Sequence, residues 1–230
     1  MSEKKTIIVA GYGPGISNAL AERFGQAGFR VALVARNARR LDKGVEALSE
    51  KGIEARASPA DLADEDAARE VVKKVRERLG PVDAIAWVAY ANTAGDVIAA
   101  PPSELRGALE LATTSLVAAV QEALPDLRAR KGAVLVTNGG FGLFDEGIDA
   151  MVARGGAMGL AISNSAKHKL VGLLAQRLRP DGVYVGEVMV LGLVRGTAFD
   201  TGGASLEPSA VAEKFWKLYT ERSETFTQIG

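Results

Sequence analysis

Apolar positions fall in short runs separated by stretches of helical spacing. Residues 5–10 (KTIIVA) form a run rich in β-branched side chains that ends at Gly11. Residues 16–27 follow with apolar side chains at helical intervals, and the same alternation continues along the chain. It predicts strands at 5–10, 30–35, 53–57, 83–88, 133–137, 183–191 and 225–229. Between them it predicts helices at 16–27, 37–51, 64–79, 103–130, 160–179 and 208–221, with Ser103 as cap of the fourth. The strand segments lack polar alternation, which suits strands buried on both faces of a sheet. Repeated β-α units with right-handed crossovers give an α/β, Rossmann-type doubly wound sheet of about seven mainly parallel strands flanked by helices. We expect one domain over 1–230, with a cofactor half over about 1–95 and a catalytic or substrate half over about 96–230. In such sheets ligands bind outside the carboxyl ends of the strands, at the point where the strand order reverses.

The first strand-to-helix turn reads Gly11-Tyr12-Gly13-Pro14-Gly15-Ile16-Ser17. Glycines there let the backbone approach a pyrophosphate, and the helix start offers free N–H groups and the positive end of its dipole. The pattern fits G-x-x-x-G-x-G with Ser17 as the last small residue, whereas G-x-G-x-x-G would put Ile16 on a glycine position. A tight βα turn without a ligand would use the same glycines. After the second strand, an acid suits the ribose hydroxyl of NAD and an arginine suits the 2′-phosphate of NADP. The segment Arg36-Asn37-Ala38-Arg39-Arg40 carries three arginines and no acid before Asp42. Arg36 is the expected phosphate partner, beside Asn37 and with Arg39 or Arg40 as helpers, and NADP(H) is expected over NAD.

Composition removes other chemistries. Hydrophobic residues at 47% and charged residues at 24% fit a globular chain. Lys and Arg total 28 against 28 acids, so the basic excess of a nucleic-acid binder is missing. With no Cys and only His168, a thiolate nucleophile, a His- or Cys-ligated metal and a Ser-His-Asp triad all lack their residues. No run of 18 apolar residues suggests a membrane span, and the start is too short for a signal peptide. A cytoplasmic protein is expected.

Over nearly its whole length the chain resembles the short-chain dehydrogenase/reductase family. Gly11–Ser17 resembles that family's cofactor loop, Asp61-Leu62 its adenine-contacting pair, and Leu191-Gly192-Leu193-Val194-Arg195-Gly196-Thr197 its Pro-Gly-x-Val-x-Thr segment. The resemblance implies nicotinamide contacts from Thr197 and ribose contacts from Lys167. The catalytic half departs from the pattern. Trp87-Val88-Ala89-Tyr90 stands where Asn-Asn-Ala-Gly is usual, and only Ala89 matches. The catalytic Asn falls near Ala112, the catalytic Ser on Asn138 or Gly139, and Tyr-x-x-x-Lys becomes Ser163-Asn164-Ser165-Ala166-Lys167. About ten extra residues lie between Gly139 and Ser163.

Ser163, Lys167, Leu170 and Leu174 share one helical stripe, so Lys167 faces inward among leucines and needs a partner or ligand. Its neighbour His168 points off that stripe and reads as a surface or inter-subunit histidine. Trp87 reads as core. The family implication is an NADP(H)-dependent oxidoreductase for a carbonyl/alcohol substrate, with a non-standard proton donor: Tyr90, a Ser163 or Ser165 relay, or a water held by Lys167. The alternative is a catalytically inactive NADP(H)-binding sensor or partner subunit. Phe141, Leu143, Phe144, Met151 and Met158 suggest an apolar substrate under a lid hinged at Gly155-Gly156, or packing of the extra segment on the core. Alanines among Leu109, Leu116, Val117, Val120 and Leu124 suit the family's close helix pairing and a homodimer or homotetramer.

Overall fold

The computed structural model describes residues 4–230, so the reading of the first five residues as no leader falls partly outside them. Chain order is β1 (Thr6–Ala10), α1 (Ile16–Gln26), β2 (Arg30–Ala35), α2 (Ala38–Glu50), β3 (Ala55–Pro59), α3 (Glu65–Leu79) and β4 (Ala84–Trp87). Then come α4 (Pro102–Leu109), a π-helical turn (Glu110–Thr114), α5 (Ser115–Arg130), β5 (Ala133–Gly139) and α6 (Glu146–Arg154). The chain closes with α7 (Met158–Leu178), β6 (Tyr184–Val190), α8 (Pro208–Glu221) and β7 (Phe226–Ile229).

The seven strands form one parallel sheet in the order β3-β2-β1-β4-β5-β6-β7. The order reverses between β1 and β4, and the cleft opens there. All five residues of β1 and all four of β4 are buried, as expected for strands covered on both faces. Alternate residues feed two cores. Ile8, Ala10, Ile85, Trp87, Val134 and Val136 pack under α3, α5 and α7. Ile7, Val9, Val31, Leu33, Leu135 and Val188 pack under α1 and α8 with Phe24 and Phe215.

Three details depart from the sequence expectation. β3 starts at Ala55 instead of 53, because Gly52 (φ +73°) closes α2 and the Ile53 amide still donates to Leu48 O (2.9 Å). The helix expected over 103–130 begins one residue earlier with Pro101 at its cap, so Ser103 is no cap. That rod also contains the π turn, where Thr113 and Thr114 hydroxyls donate back to Leu109 O and Glu110 O. Leu111 O accepts the buried Trp87 indole N–H (3.2 Å). α6 lies in the extra segment after β5, which the sequence reading left without an element.

Candidate functional site

The glycine loop lies at the carboxyl end of β1. Gly11 (φ +91°) needs its missing side chain twice over: a Cβ there would sit 2.5 Å from Ala89 Cα, and the φ itself disfavours one. Gly15 (φ +86°) precedes α1 and would press a Cβ within 2.6 Å of the Thr197 methyl. The loop after β6 is thus folded over the glycine loop, with Thr197 Oγ1 donating to Val194 O (2.8 Å). No side chain caps the start of α1, which leaves that helix end free to receive an anion. Ser17 takes the Gly13 amide and returns its proton to Gly13 O, so it ties the loop to the helix that Ile16 begins.

Tyr12 turns away from the loop into the core against Gly44, and its hydroxyl donates to Asn18 Oδ1 (2.8 Å). At the end of β2, Arg36, Arg39 and Arg40 are exposed, their guanidinium groups have no hydrogen-bond or ion-pair partner among the described residues, and Arg40 approaches Gly13. Asn37 caps α2 by accepting the Arg40 amide (3.0 Å). Asp61 accepts the Ala63 amide (3.1 Å) in a turn, and Leu62 is buried in the core beneath it.

The other half gathers on α7. Lys167 is 2% exposed, facing inward as its stripe predicts, and no described side chain hydrogen-bonds its ammonium. Burial pushes it down to about 8, while the negative Glu187 nearby pulls it up. Ser163 lies one turn before it, buried, and its hydroxyl donates to Gly159 O (2.7 Å). Ser165 is exposed and donates to Gly142 O (2.7 Å), so it pins α7 to the turn after β5 and stands apart from Lys167. Ala112 sits in the π turn and brings no polar side-chain atom. Gly139 likewise has no side chain, and Asn164 fills the space a Cβ would need.

Tyr90 is 44% exposed and its ring lies against Phe199 (5.6 Å between centroids, 31° tilt). Burial raises its phenol above the usual tyrosine range, which disfavours loss of its proton. Trp87 is core, as expected.

Sequence reasoning read His168 as a surface or inter-subunit histidine, weighed Asn138 only as a stand-in for the family's Ser, and passed over Glu187. His168 lies over β6 and β7: its Nδ1 meets Glu187 Oε2 at 2.6 Å and its ring edges onto Phe226 (5.0 Å). The sheet runs on to β7 beneath α7, so the face taken for solvent is half covered. Glu187 is fully buried on β6, and its Oε1 accepts from Asn138 Nδ2 (2.6 Å), which also donates to Asn164 O (2.9 Å). The signal was available, because a glutamate inside the apolar run YVGEVMV needs a partner.

The extra segment keeps apolar side chains outside the core: Phe144 is fully exposed and Met151 half exposed. Its end is braced, with the Met158 and Gly159 amides donating to Gly95 O and Ala94 O beside the Gly155-Gly156 turn.

A family model described as short chain dehydrogenase matches residues 5–201. A short chain dehydrogenase of Pseudocercospora fijiensis is 36% identical over 97 residues, covering 42% of this chain and 31% of that protein. The 2,3-dihydro-2,3-dihydroxybenzoate dehydrogenase of Bacillus subtilis is 27% identical over 137 residues, covering 60% and 52%. The matched stretch thus spans about half or less of these relatives. A metagenomic short-chain oxidoreductase solved with NADP shares the fold at TM-score 0.82 and 22% identity, over 98% of this chain and 96% of that one.

Proposed function

The chain belongs to the short-chain dehydrogenase family, and on that premise we propose that it is an NADP(H)-dependent oxidoreductase for a carbonyl/alcohol pair. The observation that carries this reading is Lys167, a buried ammonium on the inward face of α7 with no hydrogen-bond partner among the described residues. The nucleotide half fits the cofactor: glycine backbone at Gly11, Gly13 and Gly15, an uncapped helix start, and three free arginines after β2. Arg36 would take the 2′-phosphate with Asn37 beside it, Ala89 and the loop at Tyr12 and Ile16 would line the cleft, and Asp61 and Leu62 would flank the adenine. Thr197 would meet the nicotinamide amide, and Lys167 the ribose. When bound, NADPH supplies a hydride to the carbonyl carbon.

The proton for the carbonyl oxygen comes, in our reading, from Lys167 directly or through a water it holds. By resemblance the family's Asn falls near Ala112, its Ser on Asn138 or Gly139 and its Tyr on Ser163, and the Ser163 proton is already committed to Gly159 O. Burial lowers the Lys167 ammonium to about 8, near enough to neutral pH for it to act as an acid, which a serine hydroxyl is not. The ammonium loses one proton, the alcohol gains it, and solvent restores the lysine. Apolar Phe144 and Ile98 in loops and Met151 on α6, all exposed in the segments that follow β4 and β5, support an apolar substrate. The groove between α5 and α7, with Val117, Leu170 and Leu173 on its walls, supports pairing with a second copy.

The test is NADPH oxidation over a panel of ketones, quinones and aldehydes. Turnover is expected, and Lys167→Ala should lower it roughly 10²- to 10⁴-fold. NADPH binding without turnover on any of them would make the protein a nucleotide-binding sensor.

A further inference from the structure

We propose that Glu187, held by His168 and Asn138, is a positioning residue that keeps the Lys167 ammonium charged inside the cleft. A carboxylate fully buried in the middle of a strand is costly, and an apolar residue would serve the sheet better. The fold nonetheless satisfies both of its oxygens. Asn138 Nδ2 donates to one and the His168 ring N–H to the other, each at 2.6 Å, the short range of charge-assisted bonds. The residue next to His168 is Lys167, whose ammonium has no hydrogen-bond partner among the described residues.

A fully buried lysine without a counter-charge gives up its proton well below neutral pH. Asn138 joins Glu187 to the Asn164 carbonyl, three residues before Lys167, and His168 joins it from the residue after, so the carboxylate lies beneath the turn of α7 that carries the ammonium, and its charge favours the ammonium. Glu104 on α4 is committed to the Ala94 amide, Glu110 in the π turn is exposed, β5 contributes the neutral Asn138 and β7 the Phe226 ring. His168 is the solvent side of the arrangement, its side chain 41% open. It braces the carboxylate from outside as Asn138 braces it from within. The device therefore has three parts: the Glu187 carboxylate, the two side chains that fix its position, and the Lys167 ammonium it acts on.

This inference rests on Lys167 being the working lysine of the proposed oxidoreductase, yet it can be read without turnover. Protein labelled with ¹³C at lysine Cε is titrated by NMR, and the Lys167 signal is identified by its loss in Lys167→Arg. In wild type the Lys167 midpoint is expected near 8. Glu187→Gln should lower it by about one unit or more. His168→Leu should lower it by a smaller step, and His168→Asn, which restores an N–H donor, should recover the wild-type value. An unmoved midpoint in a folded Glu187→Gln would overturn the proposal. Should that variant not fold, the wild-type midpoint decides: a value near 8 supports the counter-charge, and a value of about 5–6, that of an uncompensated buried lysine, overturns it. Absence of turnover in wild type would count against the oxidoreductase alone, because the titration would stand or fall separately.

Discussion

The two halves of the cleft are made of different material. The nucleotide half is built from backbone: glycines at positive φ, an uncapped helix start and a loop pressed close to Ala89 and Thr197. The half we propose as catalytic is built from side chains brought from β5, α7 and β6, with Asn138, Lys167, His168 and Glu187 as its polar members. A backbone site tolerates change in most side chains and fails when a Cβ appears. A side-chain site keeps its fold under many substitutions and changes its chemistry with each one.

The sharpest way to break this contrast is Gly11→Ala. The added carbon would meet the Ala89 backbone at 2.5 Å at a φ of +91°, so we expect a loss of roughly 3 kcal/mol or more. Thermal or denaturant unfolding measures it, and a near-wild-type melt would show that the loop yields easily.

Lys167→Met probes the other half through pH. The lysine's folded value of about 8 lies below the ordinary lysine value of 10.5, so the folded chain binds fewer protons than the unfolded chain between them. Wild-type stability gains from this group as pH rises across that window, and the burial cost is full below about 8. Relative to wild type, Lys167→Met should therefore be most favoured at pH 7 and lose that margin by pH 10.5, with a span of about 3 kcal/mol. Urea unfolding of both proteins at the two pH values checks it, and a margin independent of pH would remove the buried charge from the account.

Arg36→Ala should weaken NADPH about tenfold and leave NADH nearly unchanged, through loss of one charge-assisted phosphate contact. Calorimetry with both cofactors reads this, and equal wild-type affinities would end the NADP preference. The smallest effect is expected from Tyr90→Phe. The ring against Phe199 is kept and burial disfavours loss of the phenol proton, so turnover should change by less than roughly threefold. A hundredfold fall would return Tyr90 to the proton path.

Much of this molecule was legible in the chain. Apolar runs of five to seven residues ended by glycine, alternating with helical stripes, carry a parallel sheet in their own pattern, because strands buried on both faces admit few polar residues. The glycine loop was readable for a related reason, since only glycine combines positive φ with close backbone approach. The inward face of Lys167 followed from helical spacing alone. The tertiary structure decided the rest. The π turn that leaves Leu111 O to Trp87 depends on β4 lying beneath it. The direction of Tyr90 depends on Phe199, more than a hundred residues away. The pairing of His168 with Glu187 depends on the sheet extending to β7 beneath α7, so that a face read as solvent meets a strand. Periodicity reports which residues turn inward on one element; which charge waits on the facing element is set by long-range packing, and there the chemistry of this cleft was settled.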